Sequence, residues 1–189
     1  MSIVNQHNPE WLSIAAFNDT FDWKNSVKTT FTNFFKYVTL HDSYWQTINL
    51  TVTNETILSI QLDSVWNKDY IAMDNMNGWP FLIIKIPNVL NISFNSVEVV
   101  SAIVDYSCEI ITSEDIEKLI GTLTESNLFP KEFYERLIDS KEVNKTRFDD
   151  ACGGVIEILH ASEILILLLD EKGNYIDPSL EKVEPFDKH

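Results

Sequence analysis

The stretch YWQTINLTVTNETILSIQLD, residues 44–63, decides the fold class. Ile48, Leu50 and Val52 alternate with Thr47, Asn49 and Thr51, and Leu58, Ile60 and Leu62 continue the two-residue period. Both halves therefore read as half-buried strands. The connection between them sets which faces meet, because a slip of one residue turns every side chain over. A two-residue turn at Asn54 and Glu55 sets Leu50 opposite Ser59 and Ile48 opposite Gln61, mixing apolar and polar residues on one face. A three-residue loop over 54–56 pairs Val52 with Leu58, Leu50 with Ile60 and Ile48 with Leu62, so an odd-length loop is expected.

Upstream, Asp19, Thr20 and Asp22 are N-cap types, and Trp23, Val27, Phe31, Phe34 or Phe35, and Val38 recur at helical spacing. This predicts an amphipathic helix over 22–38, wide and aromatic enough to cover a sheet. Residues 11–17 fit either a short helix or an extended arm. Downstream, 63–79 reads as an excursion from the sheet. Strands are expected at 81–86, 89–94, 97–105 and 107–112. Thr112 and Asp115 make a capping-box-like start for a helix carrying Ile116, Leu119, Ile120 and Leu123. A second helix follows Pro130 and carries Phe133, Leu137 and Ile138. Residues 155–160 and 164–169 read as a C-terminal hairpin closed by the turn 170–174, followed by a loosely held tail over 178–189. The links between strands are too short for parallel crossovers. The expected fold class is α+β: an antiparallel, curved, meandering β-sheet, partial barrel or sandwich-like, covered by an N-terminal helix. A helical insertion at 112–150 precedes the C-terminal hairpin, and 1–189 forms a single domain.

The chain has 189 residues, 44% of them hydrophobic, enough to bury a sizeable core without disulfides or a metal. Cys108 and Cys152 are far apart and read as buried thiols. The N-terminus has no signal-peptide pattern and no apolar run is long enough to cross a bilayer, so a cytosolic location is expected. The asparagines of the Asn-x-Ser/Thr triplets, at positions 18, 49, 54, 91 and 144, then carry no glycosylation meaning. The 29 acids against 14 bases give a formal charge of −15. A field of that sign repels nucleic acid and anionic lipid and speeds encounter with a basic protein, although acidity also serves solubility.

His41, Asp42 and Ser43 stand together, but alternation along a strand sends Asp42 to the opposite face, so no relay forms among the three. There is no Gly-x-Ser-x-Gly elbow and no phosphate-loop lysine. The four histidines, His7, His41, His160 and His189, are scattered, and His41 and His160 converge only if the first and last strands are neighbours. No catalytic residue, cofactor or metal is therefore assigned. The triplet is expected to be a joint, with Asp42 or Ser43 satisfying backbone groups and His41 filling the bend. Asp63 is read as a turn-former or as part of a recognition surface.

Leu40-His41-Asp42-Ser43, then Leu62-Asp63-Ser64-Val65-Trp66, then Pro87 leading to Ile92, Phe94 and Val97, then Gly154-Val155-Ile156, follow one another in an order that resembles a loosely defined group of bacterial immunity proteins linked to secreted toxins. The chain departs from that pattern in the length of its 112–150 insertion and in its last hairpin. The resemblance implies a non-enzymatic protein that binds and neutralises a cognate toxin domain, commonly a basic nuclease. Partner-binding candidates are Asp63, Trp66, Asp69, Tyr70, Asp74 and Trp79 in the excursion, and Glu132, Tyr134, Glu135 and Asp139 in the second insertion helix. Two other readings stay open: a hydrolase or small-ligand carrier with a polar pocket around His41 or Asp63, and an assembly subunit pairing through an exposed edge strand at Ile164–Leu169.

Overall fold

In the computed structural model the described residues are 3–4, 9–51, 54–63, 66–67, 79–95, 101–112, 114–115, 117–118, 120–121, 132, 135, 142–161 and 163–177. The elements in chain order are β1 (Ile3–Val4), α1 (Glu10–Asn18), β2 (Val27–Thr29), α2 (Phe31–Phe34), β3 (Tyr44–Leu50), β4 (Thr56–Gln61), β5 (Phe81–Ile86), β6 (Val89–Asn95), β7 (Ile103–Ile110), β8 (Asn144–Asp150), β9 (Val155–His160), β10 (Ile164–Leu169) and β11 (Tyr175–Ile176). They form two antiparallel sheets, as the α+β reading expects. The larger runs β1-β3-β4-β5-β10-β11, with β2 also on β10, and the smaller runs β6-β9-β8-β7.

The two strands read in residues 44–63 form the first hairpin, but they are not the half-buried strands expected: Trp45–Ile48 and Thr56–Ile60 are buried on both faces, and Leu50 is exposed. Ile48 lies opposite Leu58 and Leu50 opposite Thr56. Thr51 N–H donates to Glu55 O at 2.9 Å, so the connection is residues 52–54. The loop has the expected odd length but lies two residues earlier than the expected 54–56, so the expected pairs Leu50–Ile60 and Ile48–Leu62 do not form. Asn54 takes φ 58°, a conformation that asparagine tolerates better than most residues. A bulge between Trp45 and Thr47 shifts the register once more.

One core fills the space between the sheets. Trp45, Ile48, Leu58, Ile60, Leu82, Ile84, Ile166 and Leu168 of the larger sheet meet Ile103, Phe148, Ile156 and Ile158 of the smaller. Each such side chain contributes about 1.5–3 kcal/mol by leaving water. Phe31 and Phe34 of α2, with Phe35, fill part of the same core, Phe35 packing on Tyr106 at 4.3 Å between centroids and Phe31 meeting Phe148 edge-on at 5.9 Å. The other face of the larger sheet is covered by α1: Leu12 packs with Ile57, Phe81, Ile83, Leu167 and Leu169. Gly173 takes φ 82°, which favours glycine, and a Cβ there would lie 3.3 Å from the Trp11 ring, a tight contact that the ring would have to yield to.

Several expectations are corrected. Residues 22–38 are not one helix. Trp23–Asn25 is a 3₁₀ turn, Val27–Thr29 pairs with β10, and only Phe31–Phe34 is α-helical, started by Thr30 Oγ1 accepting from Asn33 N–H at 3.1 Å. The covering N-terminal helix is instead Glu10–Asn18. Ile103–Ile110 is a single strand where a break near Tyr106 was expected. Residues 144–150 of the expected insertion are β8, while Glu114, Asp115, Glu117, Lys118, Ile120 and Gly121 are helical behind the expected Thr112–Asp115 cap.

The strands at 155–160 and 164–169 have the expected bounds but are not a hairpin. They belong to different sheets: β9 pairs with β8 and β6, and β10 with β5, β2 and β11. The turn at 170–174 closes β10 onto β11. Strand β10 is therefore interior, not the exposed edge that strand-to-strand assembly requires. Cys108 is half-buried and Cys152 exposed, against the expected pair of buried thiols. The tail 178–189 lies outside the described residues.

Candidate partner-binding site

The end of β4 and the start of β3 meet at a joint built by side chains bonding to backbone. Ser43 is fully buried, and its Oγ accepts from Asp63 N–H at 3.0 Å. Asp63 is buried as well, and its Oδ1 accepts from the N–H of Trp66, three residues on, at 3.0 Å, a side-chain cap on the turn. Asn67 does most of the tying. Its Oδ1 accepts from Thr39 N–H at 3.0 Å, and its Nδ2 donates to Thr39 O at 2.8 Å and to Asp63 O at 2.9 Å. The amide thus stands in for a short strand, satisfying both backbone groups of Thr39. The expectation of a joint holds for Ser43, and the turn-forming reading holds for Asp63, but His41, expected to fill the bend, is exposed.

Asp42 sits in the bend with φ 61°, its N–H donating to Ile103 O at 2.9 Å, and Ile103 N–H returns a bond to Ser43 O at 2.8 Å. Its carboxylate points outward, where Oδ2 accepts from Trp66 Nε1–H at 3.1 Å and lies 3.0 Å from His41 Nδ1. The imidazole meets the indole edge-on at 5.9 Å between centroids. Trp66 remains 54% exposed. An indole is usually buried, and here it is held in place while its surface is left open to solvent.

The sequence candidates divide accordingly. Asp63 and Trp66 come together. Trp79 is half-buried and tilted on Tyr44 at 5.9 Å, beside Pro80, whose carbonyl accepts from Leu62 N–H. Glu132 is helical and exposed, and Glu135 is helical and half-buried. Asp69, Tyr70, Asp74, Tyr134 and Asp139 lie outside the described residues. Asn67 was missed, since an asparagine between a tryptophan and a lysine has no local signature. The contact of Asp42 with Trp66 was missed because the two are distant in sequence.

His160 is buried away from the joint. Its Nε2 lies 3.0 Å from Thr146 Oγ1, and its ring packs on Phe31 at 5.5 Å. Among the described residues no group of three or more His, Cys, Asp or Glu side chains could hold a metal. An open cleft of about 510 Å³ lies where the ends of β2, β5, β8 and β9 meet. It is lined by Lys28, which is ion-paired with Glu163, and by Asn88, Glu142, Asn144 and Leu165, but not by His41 or Asp63. Among the described residues no helix is long and apolar enough to cross a membrane. Comparison with protein-family models, curated proteins and solved structures finds no match.

Proposed function

We propose that this protein is a non-enzymatic, immunity-type inhibitor that binds and neutralises a basic toxin domain in the cytoplasm, a nuclease domain being the class that the motif resemblance implies. The observation that carries the reading is Trp66, an exposed indole fixed by Asp42 on a loop tied down by Asn67. Rigid, accessible tryptophans act as central anchors of protein interfaces because little side-chain entropy is lost on binding. The charge of −15 supplies the complementary field, which steers a cationic partner and raises its rate of encounter.

The reading requires a neighbouring gene for a large protein with a basic C-terminal domain, and co-purification with that domain tests it. Capture is expected at low salt, weaker at high salt, and reduced at least about 10-fold in affinity by Trp66→Ala. Salt-insensitive capture, or full affinity in the Trp66→Ala protein, contradicts it.

A further inference from the structure

Asp42 and Trp66 form more than an exposed ring. The carboxylate gives Oδ2 to both the indole N–H and His41, while Oδ1 takes no hydrogen bond among the described residues, and the side chain is 49% exposed. One group therefore presents a flat π-face, held by its own N–H, next to an outward carboxylate oxygen. A cation over an indole is attracted by the ring quadrupole, and a nearby carboxylate reinforces the attraction. The guanidinium of arginine meets both demands at once, since it is planar enough to stack and carries N–H groups along its edge. An ammonium satisfies one of the two with less overlap.

We infer that Trp66 and Asp42 form a receptor for an arginine side chain of the protein partner, stacked on the indole and bonded to Asp42 Oδ1. The inference rests on the proposed recognition of a basic protein and names the side chain recognised. The left-handed backbone at Asp42 also fits, because aspartate and asparagine tolerate it. Asp42→Asn keeps the bend and an acceptor for the indole while removing the charge.

The test follows the Trp66 indole N–H resonance of the ¹⁵N-labelled full chain, assigned by its loss in Trp66→Phe. Nα-acetyl-arginine methylamide is titrated at constant ionic strength, beside the lysine analogue and the citrulline analogue, which is shaped like arginine but uncharged. The arginine compound is expected to move the resonance at least about 3-fold more steeply than lysine, with citrulline near zero and Asp42→Asn cutting the arginine response at least about 3-fold. An unmoved resonance, an equal response to citrulline, or an undiminished response in Asp42→Asn overturns the inference. Capture of the basic domain with an unresponsive indole means that the partner docks elsewhere. A responsive indole without capture leaves the arginine receptor standing and removes the immunity reading.

Discussion

Replacing Asn67 by alanine tests whether one buried amide holds the whole joint. Asn67 is 1% exposed and makes three hydrogen bonds of 2.8–3.0 Å, two to Thr39 and one to Asp63. Each bond is worth about 1 kcal/mol net, and a buried carbonyl or N–H left without a partner costs about 1–3 kcal/mol. The bond to Asp63 O is buried and water does not replace it, whereas half-buried Thr39 recovers part of its loss from water. The sum is about 2–4 kcal/mol. For a chain of 189 residues this corresponds to a fall in Tm of about 4–16 °C. Urea unfolding followed by circular dichroism gives the free energy, and a thermal scan gives Tm. Asn67→Asp sharpens the test: the carboxylate still accepts from Thr39 N–H but faces two carbonyl oxygens without a proton to offer. It is expected to destabilise more than alanine at neutral pH, with the gap narrowing as acid restores one donor. A fall in Tm below about 2 °C for Asn67→Ala, or equal stability of the two variants at neutral pH, refutes the role assigned to this side chain.

Two further outcomes concern charged groups. Burial opposes the charge on Lys85, but hydrogen bonds and charge from Asp19 (2.7 Å) and Glu55 (3.2 Å) outweigh it and hold the ammonium above its ordinary value of 10.5. A raised folded value means stability that is complete below the unfolded value and lost as pH climbs through the folded one. The difference between wild type and Lys85→Met, about 1–2 kcal/mol near neutrality, should therefore shrink only above about pH 10.5, as read by urea titrations across that range. At Asp170, burial favours the protonated acid, but donation from the Asn174 side chain and from the backbone N–H groups of Asn174 and Lys172 overcomes this and lowers the value below 3.8. That contribution is present above the unfolded value and disappears as pH falls through the folded one. Asp170→Asn should therefore cost stability at pH 7 and converge on wild type below about pH 4.

Much of the sheet was legible because alternation is local. The strands at 81–86, 155–160 and 164–169 keep the bounds expected from their residues. Pairing was less legible, although one signal was present. Val155–His160 alternates half-buried with buried positions, while Ile164–Leu169 is aliphatic on both faces. A strand with one wet face and a strand with two dry ones belong to different surroundings, and here they are in different sheets.

The 22–38 stretch misled for a different reason. Its aromatic spacing is helical, but the β-branched Val27 and Thr29 are taken up by the edge of β10, and Thr30 caps a separate short helix. Tertiary pairing overrode local periodicity. At the candidate site, the roles of Ser43 and Asp63 followed from ordinary turn chemistry. The meeting of Asp42 and Trp66 depended on where two loops end in space, which no single window contains.

The placement of β5 and β10 governs how this chain assembles. Lys85 lies opposite Leu165, so all four strands of the smaller sheet fall between two neighbours of the larger one. The β8–β9 turn closes over a few residues and is expected to form first, whereas the central seam must wait until the intervening chain has been gathered in, an entropic toll taken before any contact across it is rewarded. Refolding should accordingly run on the millisecond-to-second scale of non-local β proteins, with the seam as its last step and a nascent chain unable to complete it until β10 has left the ribosome.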